Sequence, residues 1–232
     1  MFAQKRKDPY RVRERSRRRL RMKIAILGSG RMGGALGTIW AKAGHSVTFA
    51  YSRSSRKLED LAKATNGRAE SPADAAKDAD AVLIAVHWSR IDDVLGKAGS
   101  LDGKVVVNCC IPLDEEDRDL VLGTTTSGAE ELDRRLPEAR LVCAFNTCPS
   151  EALSAVFAKC DSSPRPQLLY YGDDPAAKEV ARQLIEDTGY EPLDAGALRM
   201  ARFVEPFAMV TAELAYGGSG GAELVYRFDR LS

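Results

Sequence analysis

Three glycines in the run Lys23-Ile24-Ala25-Ile26-Leu27-Gly28-Ser29-Gly30-Arg31-Met32-Gly33-Gly34 stand where a backbone can receive a pyrophosphate. The apolar residues before them predict a strand that breaks at Gly28 and opens directly into a helix, the context in which G-x-G-x-x-G holds a dinucleotide. Gly28 permits the tight turn, Gly30 removes a side chain that would block the phosphates, and Gly33 lets helix and strand approach closely. Ser29, Arg31 and Met32 fill the turn. The unpaired N–H groups of the helix start favour an anion beside them.

The next informative position lies about twenty residues beyond the glycines, where NAD-binding chains carry an Asp or Glu for the ribose 2′-hydroxyl. After a predicted strand over 46–51, this sequence has Ser52-Arg53-Ser54-Ser55-Arg56. No carboxylate repels a 2′-phosphate there, Arg53 and Arg56 can pair with it, and the hydroxyls of Ser52 and Ser54 can donate to it. NADP(H) is therefore favoured over NAD. The same serines also suit a helix cap, with the arginines solvated. A capping serine and a phosphate-facing arginine are compatible at one helix start.

Ligands of a doubly wound sheet bind outside the carboxyl ends of its strands, which directs attention to Val86-His87-Trp88, Cys109 to Pro112 and Asn146-Thr147. His87 can serve as a proton donor, as a cofactor contact or as an anchor of its own loop. His45, on the opposite turn, reads as structural. Trp88 either walls the cleft or plugs the sheet edge. The sequence holds no Tyr-x-x-x-Lys pair, no H-E-x-x-H, no zinc-spaced Cys/His set and no Walker loop. No metal site is expected. The strand-end cysteines read as small core residues, so no catalytic side chain other than His87 presents itself. A flavin or deazaflavin acceptor supplies its own electron sink, and a protein serving it need only hold two rings face to face.

These residues need a frame to bring them together. Further strands are predicted over 81–86, 104–109, 141–145, 167–171 and 191–193, alternating with helices over 32–43, 56–65, 89–98, 127–136, 149–159, 176–187 and 198–215. Such alternation predicts an α/β fold: a Rossmann-type, doubly wound parallel sheet with a small C-terminal α/β extension. The expected division is an NADP-binding domain over 22–147 and a small domain over 148–232 that closes the acceptor cleft. The segment 114–126 reads as a surface loop, and the end of the chain after the glycine-rich 217–221 stays unassigned.

The chain of 232 residues carries a net charge of +1 that hides an asymmetry, because residues 1–21 hold ten Lys or Arg against Asp8 and Glu14. Such an arm can bind nucleic acid or an anionic membrane, or it can be an upstream mis-start before Met22. The acidic remainder argues against nucleic acid as the main partner. Five cysteines without C-x-x-C spacing fit a reduced, cytoplasmic compartment. No run has the length of a membrane span.

Taken with Ala144-Phe145-Asn146-Thr147, Tyr171-Gly172-Asp173-Asp174 and Pro192-Leu193-Asp194-Ala195-Gly196-Ala197-Leu198, continuing into Ala201-Arg202-Phe203-Val204-Glu205, the glycine loop and Ser52-Arg53-Ser54 resemble the NADPH-dependent coenzyme F420 reductases. The resemblance runs from Met22 to about Ala215. It implies hydride transfer between NADP(H) and a small-molecule acceptor, coenzyme F420 or a flavin. It also implies that Ser52 and Arg53 hold the 2′-phosphate, that Val86, His87 and Asn146 flank the nicotinamide, and that the Asp194-Ala195-Gly196 turn helps to close the site. A homodimer is compatible with it. Relatives of this kind are also similar to the cytoplasmic domains of transmembrane ferric reductases.

Overall fold

The structure, a computed structural model, describes residues 20–231. Most of the basic arm lies outside the described residues. Strand β1 (Lys23–Leu27) leads through the glycine turn into α1 (Arg31–Lys42), β2 (Ser46–Ala50) and α2 (Ser55–Thr65), and a two-residue edge strand β3 (Arg68–Ala69) completes one wing. The chain then returns across the sheet through α3 (Pro72–Lys77) to β4 (Ala81–Ile84), α4 (Ile91–Ala98), β5 (Val105–Asn108), α5 (Gly128–Arg135) and β6 (Arg140–Ala144). Helix α6 (Ser150–Ala158), β7 (Gln167–Gly172), α7 (Pro175–Glu186), β8 (Glu191–Asp194) and α8 (Ala201–Ala212) follow.

All eight strands join one sheet in the order β3-β2-β1-β4-β5-β6-β7-β8. The expected α/β, Rossmann-type doubly wound sheet is present. Strands β4 and β5 are buried at every position, as continuous Val/Ile/Leu runs covered by helices on both faces should be. One core layer gathers Leu36, Trp40, Leu153 and Leu184, and the other gathers Ala75, Val94, Leu132 and Val204. Because β2 and β4 flank β1 on opposite sides, the chain reverses its direction of travel there and leaves a crevice at the carboxyl edge.

The structure corrects one expectation about the sheet. Strand β7 runs antiparallel to β6, with Val142 opposite Gly172 and Ala144 opposite Tyr170, and β8 follows β7 in parallel. The carboxyl ends of β7 and β8 therefore emerge at the edge opposite to those of β1 to β6. Residues after 147 extend the same sheet, and the unassigned tail returns to it, where Tyr226 pairs with Gln167 and its hydroxyl lies 2.7 Å from Thr147 Oγ1. His45 is structural, as expected. It accepts the Met22 N–H at 3.1 Å and reaches Asp187 Oδ2 at 2.9 Å.

Helix α8 is fixed to α5 by two contacts from the motif at its start. Glu205, only 1% exposed, accepts the backbone N–H groups of Gly128 and Ala129, both at 2.9 Å. Arg202 makes a two-pronged pair with Glu130 at 2.7 and 2.8 Å. Burial pushes the Glu205 carboxyl from 4.5 up to about 7, against the pull of the two N–H donors. The folded chain thus keeps a proton that the unfolded chain has released. This residue's contribution to stability accordingly falls as pH rises from about 4.5 to about 7. Glu205→Gln should flatten that fall by on the order of 3 kcal/mol in denaturant titrations at several pH values. Parallel pH profiles for the two proteins would refute the assignment.

Candidate dinucleotide cleft and adjoining chamber

A groove of about 990 Å³ opens along the carboxyl edge beside Gly28, Ser29 and Gly30. At Gly28, φ is +119° and a Cβ would lie 2.2 Å from the Ala85 carbonyl oxygen, so only glycine fits. At Gly33 a Cβ would lie 1.9 Å from the Gly28 carbonyl oxygen, whereas at Gly30 it would meet nothing within 4 Å. Gly30 faces open groove. Helix α1 begins there without a side-chain cap, and its first backbone bond runs from Gly34 N to Gly30 O at 3.0 Å. The N–H groups of Arg31, Met32 and Gly33 are left for a ligand. Side chains of Ser54, Ser71, Ser127 and Asp174 cap α2, α3, α5 and α7, while α4, α6 and α8, like α1, have no side-chain cap.

At the far end of β2, Ser52, Arg53, Ser54 and Lys57 line the groove. Ser54 caps α2 by accepting from Lys57 N, and Ser52 Oγ accepts the Ser54 N–H at 3.1 Å. Among the described residues neither the Arg53 guanidinium nor the Lys57 ammonium has a hydrogen-bond or ion-pair partner. Arg56 does not line the groove. It stands on the exposed side of α2 with its guanidinium 4.0 Å from Asp60. Lys57 lines the groove in its place. The rim beyond was not anticipated: Tyr51 Oη donates to Asp93 at 2.6 Å, and Lys97 pairs with Asp93 at 3.0 Å while lying over the Tyr51 ring.

Val86 and His87 stand where this groove meets a second space of about 490 Å³. The bonds of His87 place it as an anchor of its own loop. Nδ1 accepts the Ser89 N–H at 3.2 Å, which leaves the proton on Nε2, 2.9 Å from the Asp114 carbonyl and 3.2 Å from the Asp117 carboxylate. The ring pins the 113–120 loop, and Glu115 and Asp117 of that loop wall the groove. Trp88 does not line it; half-buried against the second core layer, it carries the Arg135 guanidinium 5.6 Å over its ring.

The second space is a chamber walled by Met32, Phe145, Asn146 and three thiols, with Ala208, Ala212 and Tyr216 closing one side. Its only lining cation among the described residues, Arg31, is paired with Glu151 at 3.1 Å. Glu151 also accepts from Tyr216 Oη at 2.9 Å. Burial pushes the Cys148 thiol up to about 12. A hydrogen bond with Cys110, together with burial, raises that of Cys109 well above its ordinary value. Asn146, 6% exposed, donates from Nδ2 to Tyr171 Oη at 2.6 Å, while its Oδ1 is buried with no partner. An unsatisfied buried amide oxygen costs about 1–3 kcal/mol.

Asp194, Ala195 and Gly196 do not reach either space, and their expected part in closing the site is corrected. The reversal at β7 delivers them to the opposite edge, where Asp194 pairs with Lys178 at 2.7 Å and Asp194 and Gly196 line a separate hollow with Tyr170. Among the described residues no helix is long and apolar enough to cross a membrane, and no group of three or more His, Cys, Asp or Glu could hold a metal ion.

Comparison with known proteins agrees with this geometry. Residues 23–112 match the family model of NADP oxidoreductases described as coenzyme F420-dependent. A solved structure from Arthrobacter sp. FB24, described as a candidate F420-dependent NADP reductase, is 26% identical with a TM-score of 0.79, covering 90% of this chain and 100% of that one. A protein of unassigned function from Sinorhizobium meliloti is 25% identical with a TM-score of 0.70, over 89% and 96% of the two chains. The metalloreductase STEAP3 of Rattus norvegicus is 30% identical over 186 residues, 79% of this chain. The chain spans about a third of that relative's length, 36%. Residues 23–112 are thus similar to the NADP oxidoreductases described as coenzyme F420-dependent, and the whole fold is similar to a solved structure described in the same terms.

Proposed function

We propose that this chain binds NADP(H) along the groove and serves hydride transfer between it and a flavin-like acceptor in the chamber, coenzyme F420 or a related ring. One observation carries the reading: the groove lined by the unpartnered Arg53 and Lys57 and the chamber lined by Asn146 share Gly30, Val86 and His87 as common wall. The residues fit the coenzyme. Arg53, Lys57 and Ser52 would hold the 2′-phosphate, the free N–H groups at the start of α1 the pyrophosphate, and Asn146 Oδ1 the carboxamide N–H. Bound there, the coenzyme supplies the hydride.

The chain's own part is to bind, orient and exclude water. Among the described residues the chamber offers no unpaired cation to anchor a carboxylate, and the proton on His87 is committed to its loop. Both facts favour an acceptor that needs neither an anionic anchor nor a protein acid. The test is stopped-flow oxidation of NADPH with deazaflavin, FMN, FAD and, given the metalloreductase relative, ferric chelates. Turnover with a flavin-type ring is expected. Tight NADP(H) binding without turnover of any acceptor would replace the reading with that of a redox sensor.

Asn146→Ala should lower kcat/KM for NADPH about tenfold, the size of one neutral hydrogen bond. Binding of adenosine 2′,5′-bisphosphate, which has no carboxamide, should be unchanged. Equal losses for both would show that Asn146 shapes the fold and not the ring site.

A further inference from the structure

Cys109 and Cys110 follow β5 directly, and consecutive side chains of a strand point to opposite faces. They begin that way, Cys109 packing against one core layer and Cys110 against the other. The chain then turns, because Asn108 Oδ1 accepts the Cys110 N–H at 3.0 Å in an Asx-type turn. Both thiols curl around the end of β4 as a result. Cys109 Sγ lies 3.3 Å and Cys110 Sγ 3.4 Å from one and the same atom, the carbonyl oxygen of Ile84. Both also line the chamber. Cys148, on another part of the wall, is directed elsewhere and donates to the Phe145 carbonyl.

We propose that Cys109 and Cys110 form a vicinal dithiol site, open to the chamber, for soft thiophilic species that take two sulfur ligands, such as trivalent arsenicals or a two-coordinate mercuric or cuprous ion. Soft sulfur donors select such species over hard cations. No group of three or more His, Cys, Asp or Glu among the described residues is arranged to give a higher coordination number. With a monosubstituted arsenic(III) oxide, two arsenic–sulfur bonds form, the arsenic–oxygen bond breaks, and both thiol protons leave with that oxygen as water. No electrons change hands. Half-buried Cys109 is the point of entry, and Cys110, 4% exposed, closes the ring. The site goes beyond the hydride-transfer reading and does not depend on it.

The probe is phenylarsine oxide, with the intact mass of the full chain as readout. The expected result is one adduct per folded chain that survives excess monothiol and is removed by a dithiol. Cys109→Ser and Cys110→Ser should each abolish it, while Cys148→Ser and Cys160→Ser keep it; thermal unfolding checks that each variant is folded, and Cys110→Ala stands in if Cys110→Ser is not. The absence of a monothiol-resistant adduct on the native chain, or its persistence in either single variant of the pair, would overturn the proposal. Because the readout is mass, failure here is distinct from failure of NADPH oxidation.

Discussion

Arg53→Asp is expected to weaken NADPH binding by about 100-fold, while NADH binding changes by less than about threefold. A hydrogen bond to a charged group contributes about 1.5–3 kcal/mol, and a carboxylate facing the 2′-phosphate adds repulsion of about 1 kcal/mol in a partly screened groove. Together these amount to roughly 3 kcal/mol, or about two powers of ten. Arg53 is exposed and unpartnered, so the uncomplexed variant should unfold within about 0.5 kcal/mol of the parent. Lys57→Gln, which deletes a charge without reversing it, should lose less. Titration calorimetry with both coenzymes gives the answer. Equal capture of NADH and NADPH by the parent protein would remove the basis of the coenzyme assignment.

The second large effect contrasts two identical substitutions three residues apart. Gly33→Ala should destabilise the uncomplexed chain by more than about 3 kcal/mol, beyond ordinary overpacking, because its Cβ would stand 1.9 Å from a backbone oxygen that neither helix nor strand can withdraw. Gly30→Ala should leave stability nearly intact, since its Cβ meets nothing within 4 Å, yet lower NADP(H) affinity at least tenfold by occupying the phosphates' approach. Urea unfolding and coenzyme titration on both variants separate the two outcomes. If Gly30→Ala were to bind NADP(H) as tightly as the parent, the phosphates would have to lie elsewhere.

The nucleotide half of the molecule was legible because its signals are local. Gly28, Gly30 and Gly33 act within one turn, and the strand from Ala81 is apolar enough to be read without partners. What escaped was set by distant pairing. Nothing near Gln167–Gly172 reveals that this strand lies antiparallel to β6, and that single reversal carried Asp194 and Gly196 away from the groove. The two residues of β3 are too few to show a period, and Tyr226 finds its place only through Thr147 and Gln167. Lys57 was missed because Arg53 precedes the Ser54 cap and lies outside α2, so no helical spacing relates the two. His87 Nδ1 is taken up locally by Ser89, but the partners of Nε2 depended on the path of the 113–120 loop, which no pattern in the sequence describes.

One uninterrupted sheet backs both spaces, and the helix that supplies the chamber's outer wall through Ala208 and Ala212 is bolted to α5 by Glu205 and Arg202. Among the described residues, the chamber's outer wall and the sheet behind it therefore belong to one packed body, so whatever enters meets walls of fixed spacing.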